Sequence, residues 1–82
     1  MPTLERIRTL LDKALGLGGR AERFDANTPL LGNLPELDSM AVVTLITTIE
    51  EQFGFIVDDD EINAETFATL GTLAAFVEMK LV

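Results

Sequence analysis

The sequence predicts a small all-α domain, and three observations support this interpretation. Apolar residues recur at spacings of three and four in three separate segments, which is the pattern of helices with one buried face. Glycine and proline interrupt the chain between those segments. A chain of 82 residues can build one hydrophobic core but not two, so we expect a single domain over residues 1–82.

The first helix is predicted from about Thr3 to Leu15. Thr3 can cap its start, and the glycines of the segment 16–19 end it, since glycine adopts the backbone conformation that commonly follows a helix. Its apolar stripe, at spacings of three and four, consists of Leu4, Ile7, Leu11 and Ala14.

A long loop, residues 20–37, follows the first helix. Pro29, Gly32 and Pro35 exclude a long helix there. The loop is nevertheless not polar, because apolar side chains punctuate it at Phe24, Leu30, Leu31, Leu34 and Leu37. We therefore expect an ordered loop whose leucines pack over the helical core, rather than a flexible tether.

The second helix is predicted from about Ser39 to Phe53. Either Asp38 or Ser39 can cap its start, and Gly54 stops it. One face carries the apolar residues expected in the core, namely Val42, Leu45, Ile46, Ile49 and Phe53.

Two further helices complete the prediction. The acidic run Asp58–Glu61 can charge the N-terminal end of a short helix near Asp60–Ala64. The last helix is predicted from Thr69 or Thr72 to Leu81, with a buried stripe of Leu70, Leu73, Ala74, Val77 and Leu81. The expected fold is a four-helix bundle: three main helices, one short helix, and the long ordered loop between helices 1 and 2.

The composition argues against a self-contained enzyme. The chain has no cysteine, which excludes disulfides, thiolate nucleophiles and cysteine-ligated metals. It has no histidine, so the usual general base and metal ligand is missing. An EF-hand loop starting at Asp58 fails as well, because Asn63 and Thr69 stand where glycine and glutamate are required. We expect no ordered metal site; weak binding of divalent cations at the acidic turn stays open.

The charge is unevenly distributed along the chain. Residues 1–23 carry five bases and three acids, a balance of +2, whereas residues 24–82 carry eleven acids and one base, a balance of −10. Such a surface repels nucleic acid and attracts proteins that present arginine and lysine. The sequence also has no apolar run near the roughly 20 residues that span a bilayer and no secretory signal. We expect a cytoplasmic protein that binds no nucleic acid and does not insert into membranes.

The segment Leu37-Asp38-Ser39-Met40 places a serine at the start of an amphipathic helix, directly after a loop. Taken alone, this tetrapeptide is explained by helix capping, for which Asp and Ser are both preferred. A serine hydroxyl is a weak nucleophile without a base, and no histidine is present to act as one. Ser39 is therefore suited to being modified by another enzyme rather than to catalysis.

The whole chain resembles the acyl carrier protein family. The resemblance rests on length, acidity, the order of helices and loops, and three segments: Asp38-Ser39-Met40 at the head of helix two, Glu50-Glu51-Gln52-Phe53 at its end, and residues 67–77, Phe-Ala-Thr-Leu-Gly-Thr-Leu-Ala-Ala-Phe-Val, leading into the last helix. It implies that Ser39 carries 4′-phosphopantetheine through a phosphodiester, and that Asp38 helps the modifying transferase to hold its metal.

The resemblance also implies the partners. These are a phosphopantetheinyl transferase and the enzymes that load and process acyl thioesters in fatty-acid, lipid, polysaccharide-linked or polyketide-type biosynthesis. The protein itself is expected to be a non-enzymatic carrier and a monomer. Alternatives are a peptidyl carrier, although Glu36-Leu37 replaces the glycines usual before that motif, a D-alanyl carrier, and an unmodified helical interaction module.

The outward face of helix two departs from the family pattern. In familiar fatty-acid carriers the second and fifth residues after the serine are often acidic, whereas here they are Ala41 and Thr44. Partner recognition is therefore expected to be more apolar, which suggests a specialised carrier. The predicted partner-binding residues are Met40, Val43, Thr44, Thr47, Glu50 and Glu51.

Overall fold

The computed structural model describes residues 3–81, which form three α-helices: α1 (Thr3–Leu15), α2 (Ser39–Phe53) and α3 (Leu70–Leu81). The all-α prediction and the bounds of the three main helices are confirmed. Two short 3₁₀ turns, Arg20–Arg23 and Asp59–Glu61, lie in the connections. Over residues 3–81 there is no β-strand, only one isolated antiparallel bridge between Pro29 and Thr69.

The predicted one- or two-turn helix near Asp60–Ala64 is met only in part, because the observed turn is shorter and begins one residue earlier, and the count of four helices is not confirmed exactly. The chain makes a single 3₁₀ turn, Asp59–Glu61, capped reciprocally by the side chains of Asp58 and Glu61. Ile62 then leaves the helical region, with φ −90° and ψ 100°. Asn63 competes with helix continuation, because its side chain accepts a hydrogen bond from the Thr66 N–H at 2.9 Å and forms a local turn.

The core lies where α1 packs against both α2 and α3. The predicted stripes supply it, and side chains from each helix are fully buried, among them Ile7, Leu11, Leu45, Ile49 and Leu73. Leu81 is a correction, since it keeps 46% of its surface exposed. It is the last residue of α3 and lies at the end of the bundle, beyond the buried turns.

The long loop is ordered, as predicted, and three of its leucines (Leu30, Leu34 and Leu37) are buried. Leu31 is the exception, with 41% of its surface exposed. Backbone hydrogen bonds join residues 26–31 to residues 67–71, in four contacts of 2.9 to 3.0 Å. These hydrogen bonds fix the loop to the start of α3, which lies far from it in the sequence.

The turn after α1 is held by Asp12. Its two carboxylate oxygens accept hydrogen bonds from the backbone N–H groups of Gly19 and Ala21, both at 3.1 Å. Arg20 then forms an ion pair with Glu36 across the loop. The pKa of Glu36 is lowered mainly by a backbone hydrogen bond, and the Arg20 side chain lowers it further. The loop therefore reaches α2 with both of its ends anchored.

None of the helices within residues 3–81 is long and apolar enough to cross a membrane.

Candidate functional site

The start of α2 shows which residue caps the helix. Asp38 has an extended backbone, φ −96° and ψ −176°, and its Oδ1 accepts a hydrogen bond from the Ala41 N–H at 2.8 Å. Its carbonyl accepts the first helical hydrogen bond, from the Val42 N–H at 2.9 Å. Because Asp38 provides the cap, the Ser39 hydroxyl is not needed for it.

Ser39 is the first residue of α2 and is exposed to solvent. The neighbouring chain is fixed on both sides, since Leu37, two residues before Ser39, and Leu45, six residues after it, are buried in the core. An enzyme can therefore approach the Ser39 side chain, while the backbone beneath it is held at a defined position.

The electrostatics at this end of α2 favour an anion. Free backbone N–H groups and the helix dipole attract negative charge at a helix N-terminus by about 0.3–1 kcal/mol. No acidic residue lies in the first turn of α2 to oppose this attraction. Of the two acids just before the helix, Asp38 has one oxygen engaged in the cap and Glu36 is paired with Arg20. A phosphate group attached to Ser39 would thus be placed where the helix stabilises it.

Comparison with known proteins agrees with this geometry. A family model described as "Phosphopantetheine attachment site" matches residues 5–77. The chain belongs to this family of carrier proteins. It is also similar to the solution NMR structure of a holo acyl carrier protein from Nitrosomonas europaea, with 59% sequence identity, a TM-score of 0.91, and coverage of 99% of this chain and 98% of that one. No curated protein matches the chain at a significant level.

The family match and the structural match together show an acyl carrier protein with a covalently attached 4′-phosphopantetheine arm. Proteins of this kind carry groups between enzymes and are not enzymes themselves. The predicted family, cofactor and non-enzymatic role are therefore confirmed. The alternative of an unmodified helical interaction module does not fit these findings.

Four of the residues predicted to contact partners form a neutral surface beside Ser39, and we call this surface the recognition face after that prediction: Met40, Val43, Thr44 and Thr47. Met40 and Val43 are 77% and 64% exposed, so two large apolar side chains lie in solvent close to Ser39. The two threonine hydroxyls bond back to the carbonyls of Met40 and Val43, at 3.2 and 3.0 Å. Because those hydroxyls are already engaged, the face presents mainly methyl and thioether groups.

The two acids predicted to join this surface differ from each other. Glu51 is exposed, as expected for a partner contact. Glu50 is half-buried, and its Oε2 accepts a hydrogen bond from the Val57 N–H at 2.7 Å, so it ties the end of α2 to the following segment. Ala41, which the sequence places on a flank of the helix, packs against the core.

Two exposed apolar residues, Ile56 and Met79, were missed by the sequence reasoning. Ile56 keeps 73% of its surface exposed in the segment after Gly54. The available signal was the run Phe55-Ile56-Val57 in a segment too short for a strand. Its two neighbours are half-buried against the core, and the alternation leaves Ile56 in solvent.

The acidic turn is compensated by hydrogen bonds and one ion pair. The Lys80 ammonium donates to Glu61 Oε1 at 2.8 Å, which lowers the pKa of Glu61 and raises the pKa of Lys80. Among residues 3–81 no group of three carboxylates is placed to hold a metal ion. The Lys80 ammonium is thus a cation that the protein itself supplies to the turn.

Proposed function

We propose that Ser39 is the attachment residue and that the protein holds acyl intermediates on its arm for delivery to partner enzymes. The arm supplies a terminal thiol, on which an acyl group is held as a thioester. The observation that carries the proposal is the exposed Ser39 at the start of α2, beside a cap that Asp38 alone provides. Ser39 is also the only serine in the chain.

The residues of the chain support the modification without catalysing it. The N-terminus of α2 stabilises the phosphate attached to Ser39. Asp38 has one carboxylate oxygen in the cap, and the other can face the Mg²⁺ of the modifying transferase. The transferase must supply the base, because the chain has no histidine.

The experiment that tests the attachment residue is incubation with coenzyme A, Mg²⁺ and a broad-specificity phosphopantetheinyl transferase. We expect the intact mass to rise by one phosphopantetheine in the wild type and to stay unchanged in Ser39→Ala. Thr44→Ala is the matched control, since it removes a neighbouring exposed hydroxyl on the same helix. A wild-type protein that stays unmodified, or an arm found on a threonine, would contradict the proposal.

We further propose that this is a specialised carrier whose partners contact the neutral recognition face. Charge pairs between two partners mainly increase their association rate. Because Thr44 is neutral, an enzyme that depends on acids beside the serine would associate with this carrier more slowly. The half-buried position of Ala41 makes Thr44→Glu the better test than a change at both positions. Val43→Asp should weaken recognition by the natural partners, because it places a charge in the apolar part of the face.

The measurement compares acylation of the phosphopantetheinylated wild type and Thr44→Glu by a fatty-acid pathway enzyme, at low and high salt. We expect Thr44→Glu to be acylated faster at low salt, with the difference lost at high salt. Ala75→Glu is the matched control, because it adds the same charge at an exposed position of α3. If the wild type is already as good a substrate as a typical fatty-acid carrier, the specialised role is refuted while the carrier assignment stands.

The cargo and pathway are the finer part of the proposal. Similarity to a holo acyl carrier protein favours an acyl cargo over a peptidyl or D-alanyl one. The intact mass of protein isolated from its native host would report both the arm and the cargo, and an amino-acyl mass would contradict the acyl assignment. The monomeric state, the cytoplasmic location and the extent of the domain over residues 1–82 stay predictions.

A further inference from the structure

A groove of about 360 Å³ lies between α1 and α2. Its floor includes Leu10 and Phe53, and basic side chains from α1 stand on its edge at Arg6 and Lys13. Grooves of this volume with a largely apolar floor and a few polar groups are typical binding sites. This basic groove takes no part in the attachment of the arm described above.

The two basic residues are available to an incoming anion. No carboxylate within residues 3–81 lies within 4.0 Å of the Arg6 or Lys13 charge, whereas Arg8, Arg20 and Lys80 each have such a partner. The Arg6 guanidinium instead lies over the Phe53 ring, with Cζ 4.2 Å from the centroid. This contact holds Arg6 at the groove edge and leaves its N–H donors open.

The groove lies on the side of α2 away from the arm. Thr48, which lines the groove, is nine positions after Ser39, or about two and a half helical turns. Ser39 and Thr48 therefore point to opposite sides of the helix. A molecule in the groove leaves Ser39 open to an enzyme, while Thr44, one turn before Thr48 on the same side of α2, borders the groove.

We propose that the basic groove binds an acidic amphipathic helix of a partner protein. The seven positions from Arg6 to Lys13 correspond to about 10.5 Å along α1. A partner helix with carboxylates seven residues apart has the same spacing, and apolar residues between them lie on the same face. The two carboxylates would meet Arg6 and Lys13, while the apolar residues would cover Leu10 and Phe53.

Charge complementarity supports this occupant. Residues 24–82 carry a balance of −10, so they repel an acidic partner, whereas residues 1–23 carry +2. An acidic helix is thus steered toward α1, and a basic enzyme toward the acidic remainder of the surface. The proposal goes beyond the carrier function and does not depend on which residue bears the arm.

The test uses the phosphopantetheinylated protein and a fluorescent, stapled helical peptide of about 18 residues. The peptide carries Glu at two positions seven residues apart, with Leu and Ile between them, and a second peptide has Gln in place of both Glu. We expect the Glu peptide to bind at low salt and the Gln peptide to bind about five-fold more weakly, as exposed charge pairs predict. Backbone amide NMR shifts should cluster in α1 and residues 48–53.

Matched variants distinguish binding in the groove from general electrostatic attraction of the peptide to basic residues. Lys13→Gln should weaken binding of the Glu peptide about three-fold, whereas Arg23→Gln, which removes a base outside the groove lining, should change it less than about 1.5-fold. Phe53→Leu, which keeps an apolar floor but removes the ring beneath Arg6, should also weaken it.

Several results would overturn the proposal. They are absence of binding, equal effects of Lys13→Gln and Arg23→Gln, or NMR shifts centred on residues 40–47. Displacement of the peptide by decanoate at lower concentration would assign the groove to an aliphatic acid. Self-association of the carrier that blocks the groove would assign it to a second copy.

Discussion

Asp38 has two roles in this structure, and two substitutions can separate them. Its Oδ1 caps α2 through the Ala41 N–H at 2.8 Å, and its charge is proposed to help the transferase at Ser39. Asp38→Ala removes both roles. Asp38→Asn keeps an acceptor of the same shape, because asparagine caps helices as well as aspartate does, but it removes the charge.

The expected magnitudes follow from the cap. Loss of an N-cap hydrogen bond costs about 1 kcal/mol of unfolding free energy. In a domain of this size that lowers the melting temperature by about 4–8 °C. Asp38→Ala should show this decrease, whereas Asp38→Asn should melt within about 2 °C of the wild type. Both variants should be modified more slowly at Ser39.

The assay is thermal unfolding followed by circular dichroism, together with a time course of phosphopantetheine attachment by intact mass. Attachment is measured well below the melting temperature, so that both variants are folded. If Asp38→Asn is modified at the wild-type rate, the carboxylate has no part in transfer. If Asp38→Ala melts at the wild-type temperature, the cap contributes nothing measurable and the reasoning about α2 is refuted.

Three further predictions concern stability. Gly71→Ala should lower the melting temperature by about 5–15 °C. A Cβ at this position would lie 2.6 Å from the Ala26 carbonyl oxygen, and overpacking of this kind costs about 1–3 kcal/mol. An unchanged melting temperature would mean that the backbone shifts freely. Glu61→Gln should melt below the wild type at pH 7 and close to it at pH 3. The pair with Lys80 lowers the Glu61 pKa, so its stabilisation is present above the ordinary value of about 4.3 and is lost as the pH falls through the lower folded-state pKa; parallel curves at both pH values would contradict this. The wild-type melting temperature should rise from low salt to about 0.1 M, where charges are screened beyond about 10 Å, and with millimolar Mg²⁺; no rise would mean that the acids are already compensated locally.

The three main helices could be predicted because their signals are local. The apolar spacing of each stripe, and caps such as Asp38 and Gly54, lie within the element that they define. Asp38 and Ser39 could be predicted as part of the candidate site for the same reason, because they are adjacent in the sequence and lie at a helix boundary. The choice of Asp38 over Ser39 as the cap needed the backbone geometry.

The remaining features depend on contacts between distant residues. Glu50 appeared to be a surface acid, because nothing in its own helix shows that the Val57 N–H reaches it. The backbone hydrogen bonds between residues 26–31 and 67–71 involve no particular side chain, so no sequence pattern marks them. The basic groove likewise arises only when α1 and α2 are side by side.

The backbone hydrogen bonds between residues 26–31 and residues 67–71 determine which parts of the molecule can open locally. The N–H groups of Leu30, Leu31, Leu70 and Gly71 all donate these bonds, so hydrogen exchange at these loop and helix-start amides should be as slow as in the helices. Residues 54–66 have few such backbone bonds to the rest of the bundle. They are held by the partly buried side chains of Phe55, Val57 and Ile62, by Glu50 and by the Glu61–Lys80 pair. We therefore expect fast exchange to concentrate in residues 54–66 rather than in the loop that leads to Ser39.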